Sequence, residues 1–210
     1  MADKEYRAIY VTSILLFVIF LIYNLWRKSQ WALDNTFTLV FLLVIYWFNE
    51  KLNLRKIDVL LLNLSLLVHN FGMFAFYSWN WHVIEDDNLI HFIAGFSGGY
   101  IIFYLVEQQL RKIDHQKTSL VIERHKILVA FLVIALVTTL GVGIELMEFA
   151  GSELFGPGEG LFFYGAGDVG KFGNPAEMYG DTMSDIIINI VAAIIGAITY
   201  AFCHLRKKPQ

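Results

Sequence analysis

Six ionisable residues lie at helical spacing beside long apolar runs. They form three pairs: Asp87 with His91, Glu145 with Glu148, and Asp181 with Asp185. Residues three or four apart share one face of a helix. Carboxylates with an imidazole suit a divalent metal such as Mg, Mn or Zn, and they equally suit proton exchange or general acid–base chemistry. The six residues are therefore the candidate metal ligands, although no strict metal motif such as H-E-x-x-H is present.

Each pair also has a structural interpretation. Asp87 and Asp181 could be acids that begin a helix, where they satisfy free N–H groups and the helix dipole. His91 could be a hydrogen-bonded histidine between helices, which from its residue type alone is the commoner role. Asp185 is one turn deeper than Asp181, so capping does not account for it.

Glu145 and Glu148 are harder to assign to a structural role. We expect them near the C-terminal end of their helix, where the dipole disfavours negative charge. No lysine or arginine lies within a helical turn of them. Two nearby carboxylates disfavour each other's ionised form, so either one is protonated or a cation is bound. In a catalytic site, Glu145 or Glu148 would be the base and His91 a metal ligand or an acid.

The elements that must position these residues are membrane helices. Of the 210 residues, 57% are hydrophobic and 17% are charged, against about 45–50% and about 25% in soluble domains. The pattern predicts an all-α, polytopic membrane helix bundle that forms one domain over 1–210. The six predicted spans are 6–26, 32–49, 57–78, 88–106, 126–148 and 182–204, each close to the roughly 20 residues that cross a bilayer.

Basic residues predict the orientation. With both termini in the cytoplasm, 13 of the 16 lysines and arginines lie on the cytoplasmic side, as the positive-inside rule requires. The three acidic pairs then all fall at the outer side, where three helix faces could meet. A glycine-rich extracytoplasmic loop is expected over 151–180, too rich in glycine and proline to be a seventh span. It could act as a lid.

Other polar and small residues in the spans have simpler expected roles. His69 and Asn70, in the middle of the third span, would form hydrogen bonds between helices. Gly95 and Gly99 make a small-xxx-small face for close helix packing. Asn189 could orient Asp185 or line the floor of a cavity.

Three segments together resemble a known family. They are "DNLIHFIAGF", "GIELMEFAG" and "GDTMSDIIINIVAAIIGA", and they are similar to VanZ-like and YjdF-like (DUF2238-type) bacterial integral membrane proteins. The likeness covers residues 87–197 at most, and its most specific part is the final helix. VanZ-like members are linked with glycopeptide resistance and cell-envelope phenotypes. The resemblance implies an envelope-related membrane protein without supplying a mechanism.

Three functions are compatible with these features. The first is a cell-membrane site, open to the outer leaflet, that binds or acts on a lipid-linked or amphiphilic substrate with the help of a divalent metal. The second is a proton- or cation-coupled transporter, and the third is a non-catalytic scaffold with a structural polar network. Membrane lipid is the expected partner. A net charge of −3 gives no reason to expect nucleic acid, and the sequence does not specify an oligomeric state.

Overall fold

Six long helices form the part of the chain that the computed structural model describes, which is residues 2–74, 86–113, 122, 125–155, 160 and 175–204. All six are long and apolar enough to cross a membrane, so the predicted all-α membrane bundle is confirmed. A short 3-10 helix, Phe71–Phe74, follows the third. The helices are α1 (Ala2–Arg27), α2 (Trp31–Leu52), α3 (Lys56–Asn70), α4 (Asp86–Ile113), α5 (Lys126–Phe155) and α6 (Pro175–His204).

Two helices extend into the segment expected to be a loop. α5 continues to Phe155 and α6 already begins at Pro175, so the segment between them is shorter than the predicted 151–180. Pro175 occupies the first helical position, where its missing N–H costs no hydrogen bond and its fixed φ suits the helix. The "LFFY" stretch, 161–164, lies outside the described residues.

Successive helices run in opposite directions. The rings of Tyr10 and Tyr46 lie 5.2 Å apart, which places the start of α1 beside the end of α2. Arg55 Nη1 lies 3.0 Å from His204 Nε2, which places the start of α3 beside the end of α6. We call the end of the bundle where α1 begins and α6 ends the termini face, and the opposite end the site face. Which side of the membrane each faces stays a prediction.

The surface of the bundle is apolar. Large side chains project outward at the middle of α5, with Phe131 67% and Leu140 62% exposed. Exposed side chains of this kind suit a hydrocarbon solvent and would be a liability in water. Inside, one apolar cluster joins α1, α2 and α3, and a second joins α4, α5 and α6.

Close packing of α4 against α6 depends on glycine. A Cβ on Gly95 would lie 2.8 Å from the carbonyl oxygen of Asn189, and a Cβ on Gly99 would lie 2.8 Å from Ala193 Cα. On the other helix, a Cβ on Gly196 would lie 3.0 Å from the backbone nitrogen of Tyr100. The prediction that Gly95 and Gly99 allow close helix approach is confirmed. This contact fixes the two helices that carry most of the candidate site.

Candidate functional site

His91 lies at the centre of the candidate site, among carboxylates from three helices. Its Nε2 is 3.6 Å from Asp87 Oδ1 on α4, 3.9 Å from Glu145 Oε1 on α5 and 3.9 Å from Asp185 Oδ1 on α6. The side chains of His91, Glu145 and Asp185 are 8%, 9% and 4% exposed, whereas Asp87 is 24% exposed. The site is therefore largely buried, and Asp87 is the most exposed of these four side chains.

Three of these residues have the geometry of a metal site. One ligand atom from each of Asp87, His91 and Asp185 can be chosen so that all three lie within 4.8 Å of one another. Ligand atoms that share one cation at about 2.0–2.6 Å are at most about 4–5 Å apart. The residues therefore fit a divalent ion. Two carboxylates and an imidazole are the ligand types that Mg, Mn and Zn accept.

The charge around His91 is strongly negative. Three carboxylates surround an imidazole that can carry at most one positive charge. The lysines and arginines of α4, α5 and α6 are Arg111, Lys112 and Lys126, all at the termini face. Apart from Glu107 of α4, these three helices carry their acids towards the site face and their bases at the termini face. The carboxylates around His91 therefore favour a bound cation.

Asn189 holds the other side of the His91 ring. Its side-chain nitrogen lies 2.9 Å from His91 Nδ1, and Asn189 is 4% exposed. If the amide donates to Nδ1, Nε2 carries the proton and points at the carboxylates. If the amide is turned so that its oxygen accepts from Nδ1–H, Nε2 has a free lone pair for a metal. Asn189 can therefore serve either tautomer, and it fixes the ring in both.

Small residues make room for Asn189. A Cβ on Gly141 of α5 would lie 3.1 Å from Asn189 Nδ2, and Gly95 of α4 lies against its backbone. The predicted role of Asn189 was to orient Asp185 or line a cavity floor. The structure places its amide against the imidazole, where it orients His91.

A comparison with family profiles matches residues 6–206 to a family described as "Predicted membrane protein (DUF2238)". The chain belongs to the DUF2238 family. Neither the curated proteins nor the solved structures gave a match. The DUF2238 part of the resemblance is confirmed, and the match extends well beyond residues 87–197 to include the first three helices. The link to VanZ-like proteins stays a prediction.

For the remaining two predicted ligands of this DUF2238 protein, Asp181 and Glu148, the position relative to His91 is given by electrostatic range and by helix spacing. Asp181, which is partly buried, lies within electrostatic range of His91. Glu148 follows Glu145 by nearly one turn of α5. The structure thus brings three of the five predicted carboxylate ligands within 4 Å of His91 Nε2.

Helix ends change the interpretation of three acids. α6 begins at Pro175, so Asp181 is not a cap of that helix. α5 continues to Phe155, so Glu145 and Glu148 are not in its last turn, and the dipole penalty expected for them falls off before it reaches them. Asp87, in contrast, does lie in the first turn of α4.

A second polar cluster on the site face was not predicted as a unit. His69 Nε2 lies 3.1 Å from Asp34 Oδ1, and Asp34 is 1% exposed. His69 is also within electrostatic range of His91, so the two clusters are neighbours. The expected hydrogen bonding of His69 and Asn70 between helices is confirmed, although both lie at the end of α3 rather than in mid-span.

Beneath Asp34, buried amides connect three helices. Asn24 of α1 contacts Asn35 of α2 at 2.7 Å, and Asn35 contacts Asn70 of α3 at 2.6 Å. Gly160 covers Asp34: its φ is +112°, and a Cβ there would lie 2.7 Å from Asp34 Cγ. Gly160 is the one described residue between α5 and α6, so the predicted lid otherwise falls outside the described residues. Asp34 was not predicted from the sequence. The signal that could have identified it is an acid inside an apolar span.

Proposed function

We propose that this protein binds a divalent cation through Asp87, His91 and Asp185. With that cation, the site face binds or acts on the polar headgroup of a lipid-linked or amphiphilic substrate. The observation that carries the proposal is the convergence of three ligand atoms within 4.8 Å, from two helices held in close contact. Mg, Mn and Zn are the candidate ions.

The packing of the site supports cation binding. Ligands bind a metal tightly when other groups hold them in place. His91 is held by Asn189, and Asp185 lies on the same helix as Asn189, one turn earlier. Glycine contacts fix that helix against α4. The ligand set would therefore need little reorganisation on binding.

The depth of the site supports an amphiphilic substrate. Trp26 at the end of α1 is 77% exposed and Tyr179 near the start of α6 is 69% exposed. Exposed tryptophan and tyrosine are typical of the membrane–water interface. A headgroup at the depth of these rings would reach Asp87, while its apolar chains stayed in the bilayer.

A bound divalent ion would supply Lewis-acid chemistry, polarising a phosphoryl or acyl oxygen or activating water. The protein's own contribution would be proton transfer. Glu145 is 9% exposed and its Oε1 lies 3.9 Å from His91 Nε2, so it is the candidate base beside the ligand set. Hydrolysis or group transfer on a headgroup is the reaction class that this arrangement favours.

Metal content tests the proposal. The full chain is purified in detergent, loaded with Mg, Mn or Zn, desalted and measured by elemental analysis and by calorimetric titration. We expect about one ion per chain in the wild type, and at least tenfold weaker binding in Asp185→Asn. Glu153→Gln is the control, because Glu153 is an exposed acid on α5, and it should bind as the wild type does.

Two results would contradict the proposal. One is the absence of saturable binding for all three ions in a folded wild-type protein. The other is an Asp185→Asn variant that binds the ion as tightly as the Glu153→Gln variant does. Metal-free protein that takes up protons into liposomes would favour a transporter. Variants that lose their fold without any metal in the wild type would favour a structural network.

A further inference from the structure

A polar cavity of about 520 Å³ opens at the termini face, far from the candidate metal site. It lies between the α2–α3 connection and the last turns of α4 and α6. Its lining includes four basic or potentially basic side chains and two neutral polar ones. They are Arg55, Arg111, Lys112, His204, Tyr104 and Gln108.

Arg55 is held rigidly at the cavity wall. Its Nε and Nη2 donate to the two carboxylate oxygens of Asp58 at 2.8 and 2.7 Å, and its backbone N–H donates to the same carboxylate at 2.8 Å. The guanidinium carbon lies 4.0 Å from the ring centroid of Tyr104 and 5.0 Å from that of Tyr200. Carboxylate pairing and cation–π contact both stabilise the charge.

Arg55 therefore keeps its positive charge. Burial opposes the charged form, but the hydrogen bonds and the attraction of Asp58 outweigh burial and raise the pKa of Arg55 above its usual range. Asp58 is fully buried, whereas Arg55 is 26% exposed. A buried carboxylate thus holds a cation whose outer edge faces the cavity.

His204 faces Arg55 as a hydrogen-bond acceptor. Arg55 Nη1 can only donate, so His204 Nε2, 3.0 Å away, accepts. His204 Nδ1 lies 3.1 Å from the Tyr200 carbonyl, to which it then donates.

Among the described residues that line the cavity, the one acid is already paired. Glu107 accepts from Arg111 Nε at 3.0 Å through Oε1 and from the Tyr200 hydroxyl at 2.5 Å through Oε2. The paired charges are Arg55 with Asp58 and Arg111 with Glu107. Lys112 adds a further positive charge at the rim, so the lining formed by the described residues carries a net positive charge.

We propose that this cavity binds a phosphate-bearing anion. A rigid, aromatic-stacked arginine and a lysine that line the same cavity are side chains suited to recognise phosphate. Basic pockets between membrane helices at this depth suit lipid headgroups, and a free phosphate has the same chemistry. The two sources differ in whether the ligand must arrive from the bilayer.

The probes are inorganic phosphate and phosphatidic acid. Purified protein is titrated with phosphate against chloride at equal ionic strength, and separately with mixed micelles that contain phosphatidic acid or phosphatidylcholine. Binding is read by thermal stability and by ligand retention in native mass spectrometry. We expect saturable binding of at least one phosphate probe over its control, weakened about five- to tenfold in Lys112→Gln, as the loss of one charge contact allows.

The source follows from which probe binds. Phosphatidic acid alone indicates a lipid headgroup, and inorganic phosphate that also binds indicates that the phosphate group suffices. Arg55→Lys keeps the charge but loses the guanidinium that Asp58 and the Tyr104 ring hold at the cavity wall, so it should weaken binding too. Arg27→Gln, which removes a basic residue at the site face, is the control. The proposal is overturned if neither probe binds, or if Arg27→Gln weakens binding as much as Lys112→Gln does.

Discussion

At the scale of single residues, the carboxylates of the site face converge on one imidazole. His91 is the only residue that lies within 4 Å of carboxylates from α4, α5 and α6 among the ion pairs of the described residues. Its ring presents one nitrogen to those acids and the other to Asn189. The tautomer that Asn189 stabilises therefore decides whether Nε2 donates to the acids or offers a lone pair to a metal.

Asn189→Leu should weaken metal binding by about 10–100-fold, the usual effect of removing a group that orients a metal ligand. Leucine fills similar space but cannot bond Nδ1, so the ring loses its orientation. Calorimetric titration with Mn measures the affinity. The matched control is Asn63→Leu on α3, whose amide bonds only within its own helix at Val59 among the contacts described. Equal affinities in the two variants would show that Asn189 does not position His91.

Part of the site could be predicted from the spacing of residues along each helix and from the alternating direction of successive helices. His91, Glu145 and Asp185 each stand near the same end of their spans, so six antiparallel helices bring them to one face. This reasoning did not predict the contact between Asp34 and His69. They are 35 residues apart, and no helical periodicity relates residues on different helices. The contact of Asn189 with His91 was likewise not predicted, because the rotation of a helix about its axis is set by packing.

At the scale of elements, the α4–α6 contact should tolerate no side chain at its crossing. Gly196→Ala would place a methyl group against the backbone of Phe96 and Tyr100. We expect a loss of roughly 1–3 kcal/mol, the usual cost of overpacking. Gly180→Ala is the control on the same helix, since a Cβ there meets nothing within 4 Å. The measurement is the free energy of unfolding in SDS.

The control separates packing from helix propensity. Alanine is the better helix former by about 1 kcal/mol, so Gly180→Ala should be neutral or stabilising. Gly196→Ala that is as stable as Gly180→Ala would mean that the two helices can move apart at no cost. In that case the glycines would not be what fixes Asp185 and Asn189 relative to His91.

Helix bounds were the least predictable part of the fold. The six spans follow from apolar length, but the start of α6 does not. Its first residues, Pro175 to Gly180, include a proline and a glycine, which read as helix breakers. Proline breaks a helix only in its interior, where it removes a hydrogen bond, and it is favoured at the first position. Glycine lowers helix stability, but the helix continues through Gly180 because the turns that follow it are strongly helical.

At the scale of the whole molecule, the bundle has a different polar chemistry at each end. The site face carries His91 with its three carboxylates and the neighbouring Asp34–His69 pair. The termini face carries Arg55, Arg111 and Lys112 around a cavity. An apolar middle separates them. The positive-inside rule uses the distribution of lysine and arginine between the two ends to set orientation, so orientation can be tested with the same helices.

The sequence predicts that the termini face is cytoplasmic. In a Cys203→Ser background, which removes the only cysteine, Gln30→Cys reports on the site face and Glu50→Cys on the termini face, since both positions are exposed. In right-side-out vesicles, a membrane-impermeant maleimide should label Gln30→Cys at once and Glu50→Cys only after permeabilisation. The reverse pattern would place the carboxylate site inside the cell. A substrate could then not come from the outer leaflet. The metal affinity of Asp87, His91 and Asp185 does not depend on this orientation and is measured separately.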